Sequence, residues 1–189
     1  MIPWERVGDS VTTKMDRQEA AVLRGLIGQI GEMLKSRQDA SPQDELAELT
    51  GIRTGPTTAP DDPILSRLLP DFHRLDGDEP VTDADQDSAA ALRSLHEPDL
   101  LDLKTGVAAV VLDTCPANGG LVKLSLEQAD AWLSAVNDVR LALGTTLGVT
   151  EDMPDELPDD DPRARSLGVY HWLTWLQESL IAALAGDEL

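Results

Sequence analysis

The stretch Ser125–Gly144 constrains the fold more than any other part of the chain. Ser125 and Gln128 are spaced as a capping box, in which the serine hydroxyl serves the third helical amide and the glutamine reaches back to the serine's own amide. From there Ala129, Trp132, Leu133, Val136, Val139, Leu143 and Leu147 recur at intervals of three and four, the stripe of a helix packed on a core. The reading is the central strut of a helical bundle. Arg140 falls inside the stripe. A guanidinium stays charged there, so it must reach water or meet a carboxylate, for which Glu178, Asp71, Glu97 and Asp99 are the candidates. Asn137 and Leu141 adjoin it, and Gly144, one turn on, is expected to admit a neighbouring backbone.

The other elements follow from similar local signals. Residues 1–15 are too broken for a helix; Trp4, Val7 and Val11 suggest an extended arm, paired with a short strand at 121–124. Asp16 and Glu19 make a second capping box, opening a helix to about Arg37 with Ala20, Leu23, Ile27, Ile30 and Leu34 as its stripe. Gly25, Gly28 and Gly31 inside it each cost roughly 1 kcal/mol against alanine, which predicts a closely approaching helix. Short helices are expected at Pro42–Leu49 and Ile64–Leu69, each behind a cap and a proline. A helix from Thr82 should break at Glu97-Pro98, and a deeply buried one should run from Pro98 to about Thr114. The last helix, from Pro162 to about Ala185, is apolar around nearly its whole girth. Its stripe of Val169, Tyr170, Leu173, Leu176, Leu180, Ile181 and Leu184 is widened by Trp172 and Trp175, so neighbours or a second subunit should enclose it. Residues 53–61, 76–81 and 150–161 read as flexible acidic or Pro/Gly-rich loops. The fold class is all-α: a single domain over 1–189, an irregular bundle of about five to seven helices with at most one β-hairpin.

Composition narrows the function. The chain carries 15 basic and 35 acidic residues, a net charge of −20, which opposes non-specific binding to DNA or anionic membranes and suits either a basic protein partner or a generally acidic surface composition. The start of the chain has no signal-like apolar run, and no stretch of about 18 apolar residues occurs, so a soluble cytoplasmic protein is expected. Cys115 is the lone cysteine, which rules out an intramolecular disulfide. It ends a buried helix, where the dipole raises a thiol pKa; an inert thiol is the simpler reading, and an intermolecular disulfide or single-thiol sensor the alternative.

No catalytic signature is met: there is no phosphate-cradling glycine loop, nucleophile elbow or His-Glu-x-x-His. His73, His96 and His171 are scattered, and His171 reads as a hydrogen-bonded structural histidine. Asp83–Ser88 begins like a calcium loop but lacks its sixth-position glycine and twelfth-position glutamate, and reads as a helix start. Residues 41–52 resemble the first half of a helix-turn-helix, but 53–60, with Gly55, Pro56 and Pro60, cannot be a recognition helix, so direct DNA reading is not expected. No metal, cofactor or catalytic residue is expected. Arg67, Asn137, Arg140 and Glu178 are assigned to a structural polar network under the core; an enzyme would need Arg67, Arg140 and Glu178 gathered in a polar pocket.

Several of these stretches also carry a resemblance. Asp62-Pro63 with Arg67-Leu68-Leu69-Pro70, Leu92-Arg93, Lys104, Trp132-Leu133 with Asn137-Asp138, Arg140-Leu141 and Leu143-Gly144, and Tyr170 with Trp172-Leu173-Thr174 and Leu176-Gln177-Glu178 occur in this order over residues 15–185. In these the chain resembles an actinobacterial family of unknown-function domains encoded beside the ClpS proteolytic adaptor, one branch of which is described as regulating oxidative stress. The resemblance implies a cytoplasmic, helical, non-enzymatic regulator that works with a stress sigma factor on a sulfur-carrier-dependent cysteine-synthesis operon. It also implies a switch by a disulfide between two nearby cysteines, which one cysteine cannot form. The resulting expectation is a transcription modulator acting through a protein partner, homodimeric, with Trp172 and Trp175 as interface anchors. An adaptor in ClpS-dependent proteolysis is the alternative.

Overall fold

The computed structural model describes residues 2–40, 53–72, 82–158 and 160–186. The chain is mostly helical, with a small antiparallel sheet. Strands β1 (Glu5–Val7) and β2 (Ser10–Met15) precede α1 (Arg17–Asp39), α2 (Pro63–Leu68) and α3 (Asp83–Thr114); β3 (Gly120–Ser125), α4 (Leu126–Leu147) and α5 (Ala164–Ala185) complete it. The helix expected at Pro42–Leu49, the helix-turn-helix-like residues 41–52, His73 and the loop 76–81 lie outside the described residues.

The capping boxes at Asp16, Thr82 and Ser125 are all formed, so α1, α3 and α4 start where their sequences predict. α4 is the strut: it touches the other four helices and strands β2 and β3. Its buried side chains include Trp132, whose ring meets Trp4 edge-on at 5.4 Å and whose Nε1 donates to Thr114 Oγ1 at 2.8 Å. Aromatic pairing and a satisfied indole together fix the sheet and α3 to the strut. The N-terminal arm does more than pair once. It folds back at Gly8-Asp9, so β2 lies between β1 and β3 and the sheet has three strands. The inner face of β2, Val11, Thr13 and Met15, is buried, while Val7, expected with the buried residues of the arm, is exposed.

Three other expectations are corrected. α3 runs through Pro98 without a break. A proline in a helix leaves the carbonyl four residues back without a donor; here that carbonyl belongs to Ser94, and the amide of Gly55 occupies it at 2.7 Å while Ser94 Oγ donates to Gly55 O at 3.1 Å. A Cβ on Gly55 would stand 2.9 Å from Pro98 Cγ, so the repair requires glycine. The 53–61 segment is therefore irregular but anchored, with Arg53 paired to Asp99 and Asp102 and Thr58 O accepting from Arg37. The second half of α3 is not deeply buried all round: Leu101, Ala108 and Val111 face the core, but Leu103 is 62% exposed. No described residue lies within 4 Å of where the Cβ atoms of the α1 glycines would be, so no described helix makes the close approach expected there. α5 is covered only in part by its own chain: Leu173, Leu176 and Leu180 are buried, while Trp175 and Ile181 are 36% and 50% exposed. Among the described residues no helix is long and apolar enough to cross a membrane.

Candidate functional site

Two polar assemblies stand out, and the second gathers three of the four residues of the network that the sequence suggests. The first lies between α1 and α3. Arg93 and Glu97, four residues apart on α3, are 2% and 0% exposed and bonded at 2.5 Å. Arg37 Nε donates to the other oxygen of Glu97 at 2.8 Å, and Arg93 reaches Asp71 at 2.6 Å and Leu69 O at 3.2 Å. Burial opposes the Arg93 charge, but its hydrogen bonds to Asp71 and Glu97 outweigh that and hold its pKa above the ordinary value. With both carboxylate oxygens of Glu97 taken and Arg93 contacting three groups, this cluster is a closed lock joining α1, α3 and the residues after α2. Nearby, Asp138 of α4 is buried and pairs with Lys104 of α3 at 2.6 Å; burial pushes its carboxyl pKa up, with Lys104 pulling the other way.

The second assembly is an open recess of about 450 Å³ where α2, the C-terminal half of α4 and α5 meet. Arg67 enters from α2, Asn137, Arg140 and Gly144 from α4, and Tyr170 from α5. Its rim is the turn that ends α4: Gly148 adopts the left-handed conformation, φ +65°, and the amide of Val149 bonds back to Gly144 O at 3.0 Å. Arg140 Nη1 donates to Gln177 Oε1 at 2.5 Å and Nε to Thr174 Oγ1 at 3.1 Å, while its guanidinium carbon lies 5.6 Å from the centre of the Tyr170 ring. A cation is thus satisfied by two neutral oxygens and an aromatic face.

The structure therefore gathers Arg67, Asn137 and Arg140 but not Glu178, which remains exposed one residue beyond Gln177. Arg140 has no carboxylate partner among the described residues; Asp71 and Glu97 serve Arg93, and Asp99 serves Arg53. Neither the Arg67 nor the Asn137 side chain makes a hydrogen bond among the described residues. Gly144 admits a ring rather than a backbone: its Cβ would lie 3.4 Å from Tyr170 Cε2. The buried lock at Arg93 and Glu97 escapes sequence reading because an i, i+4 Arg–Glu pair is usually a surface feature.

Cys115 is buried at 2% exposure. Burial pushes its thiol up, with the Arg24 guanidinium pulling the other way. Arg24 also donates to Cys115 O at 2.6 Å and to Leu112 O, capping the last carbonyls of α3. Trp172 is half-buried with an indole N–H that has no partner among the described residues, and Trp175 lies on the outward side of α5. His171 is exposed and its Nε2 lies 3.1 Å from Asp155 O. No group of three or more metal-ligating side chains occurs among the described residues, and Asp83 and Asp85 sit in the first turn of α3.

A family model described as Domain of unknown function (DUF2017) matches residues 1–184. Curated relatives named Oxidative stress regulator AosR, from Mycobacterium bovis and Mycobacterium tuberculosis, are 46% identical over 192 residues, covering 97% of this chain and 88% of theirs. A Mycobacterium leprae relative is 41% identical over 189 residues, 96% of this chain and 87% of its own. No solved structure matches. Arg67, Asn137, Arg140, Leu141, Gly144 and Tyr170, which line the recess, are residues on which the resemblance rests. The match runs through both polar assemblies and the strut between them, and the chain belongs to the DUF2017 family.

Proposed function

We propose that this chain is a non-enzymatic, cytoplasmic regulator of the oxidative-stress response that acts on transcription by binding a protein of the sigma-factor class. The observation that carries this reading is its identity, along nearly the whole chain, with relatives named oxidative stress regulators. The physical chemistry fits. A net charge of −20 repels nucleic acid and attracts a basic protein face, which makes the complex salt-sensitive. Trp175 and Ile181 supply exposed apolar contact on the outward side of α5, with Glu178 between them in sequence. Trp172, half-buried and packed on the core, is the weaker anchor. With one cysteine, sunk in the core, the stress signal does not enter through an intramolecular disulfide.

The test uses a strain lacking this chain, complemented with the parent or with Trp175→Ala/Ile181→Ala. Peroxide-induced transcripts should fall in the deletion, recover with the parent and stay low with the double variant. Unchanged transcripts, with slowed turnover of ClpS substrates instead, would replace this reading by the proteolytic-adaptor one.

A further inference from the structure

The recess at Arg67 and Arg140 has no part in the reading above. Among the described residues its lining holds two guanidinium groups and no carboxylate, in a chain with 35 acidic residues. Arg37, Arg53, Arg93 and Arg163 each take a carboxylate within 3.1 Å and Arg6 and Arg24 bond backbone carbonyls, whereas Arg140 rests on Thr174, Gln177 and an aromatic ring inside a recess. The Arg67 guanidinium, the Asn137 amide and the Tyr170 hydroxyl have no hydrogen-bond partner among the described residues. Four polar groups converge on one concavity, and three of them are idle. The volume, about 450 Å³, falls within the range of small-molecule clefts, roughly 300–1,000 Å³. Part of the wall is apolar, from Leu141, Val149 and the Tyr170 ring.

We propose that this recess binds a small molecule bearing a phosphate or carboxylate group, its oxyanion held by Arg67 and Arg140 and its apolar or planar remainder set against Leu141 and Val149. Guanidinium forks match both anions, and the Asn137 amide and Tyr170 hydroxyl supply further donors. One local effect opposes the anion. The recess lies at the C-terminal end of α4, whose dipole places about half a negative charge there. Two whole guanidinium charges exceed it, and the amides of Gly148 and Val149 already cover the carbonyls of Gly144 and Thr145.

The experiment is calorimetric titration of the full chain with phenyl phosphate, benzoate and uncharged benzyl alcohol, repeated at raised salt and with Arg67→Gln. Arg67 is exposed and bonded to nothing among the described residues, so the variant keeps the parent's denaturation midpoint. Saturable binding of one or both anions, weakened by salt, absent for the alcohol and reduced about tenfold or more by Arg67→Gln, is the expected result. Preference for phenyl phosphate identifies a phosphate ligand and preference for benzoate a carboxylate. No saturable binding of either anion at millimolar concentration, equal binding of the alcohol, or indifference to Arg67→Gln would overturn the proposal.

Discussion

Replacing Glu97 with glutamine perturbs the best-enclosed charge in the molecule. Glutamine keeps the size of the side chain and one acceptor oxygen. Its NH2 group, however, must face either Arg93 Nη1 or Arg37 Nε, a donor against a donor, where the carboxylate accepted at 2.5 and 2.8 Å. The one carboxylate left to Arg93 is that of Asp71, 60% exposed and unable to follow the guanidinium into the core. Removing one partner from a buried pair costs about 3–5 kcal/mol. With a urea slope of about 2 kcal/mol/M, a loss of about 3 kcal/mol lowers the midpoint by about 1.5 M. Arg140→Gln gives the contrast. Arg140 is half-buried and its partners are neutral groups that can rehydrate, so the loss is about 1–2 kcal/mol. Urea unfolding followed by far-UV dichroism, with an unchanged slope, measures both. Equal shifts for the two variants, or an unmoved midpoint for Glu97→Gln, would refute the assignment of the lock to Arg93 and Glu97.

Two glycine-to-alanine changes should move stability in opposite directions in thermal denaturation. Gly28→Ala, on an open face, should gain about 0.5–1 kcal/mol, and Gly55→Ala, against the Pro98 ring, should lose about 1–3 kcal/mol. Asp138 sets a pH signature. Its folded pKa is raised, so its contribution is fully present below the ordinary carboxyl value and is lost as pH rises through the raised one. Asp138→Asn should therefore compare less favourably with the parent in acid than at neutrality in paired urea titrations, and a difference that stays constant with pH would contradict the shift. The buried, raised thiol of Cys115 should react with a disulfide reagent only on unfolding, and the solution mass, monomer or dimer, should not depend on reductant.

What is legible in the sequence is what is encoded locally. Asp16 with Glu19, Thr82 with Asp85, and Ser125 with Gln128 mark helix starts because both partners of each box lie within four residues. The reading of α4 as the strut succeeds for the same reason. It fails where a distant residue alters a local rule. Pro98 does not break α3, because Gly55, far back in the chain, brings the missing amide. Arg140 meets no carboxylate among the described residues, because the part of α5 facing it presents Thr174 and Gln177 while Glu178 turns outward. The convergence of Arg67 with Asn137, Arg140 and Tyr170 depends on how α2 and α5 lie on α4, and nothing in the spacing of these residues reveals their unpaired donors.

Regulation through a protein contact is tested most directly by the affinity of the purified chain for a stress-type sigma factor at two salt concentrations, with the parent and with Trp175→Ala/Ile181→Ala. The complex should weaken as salt rises and lose about tenfold or more in affinity with the double variant. A complex insensitive to both salt and substitution, or no complex at low salt, would contradict regulation through this contact.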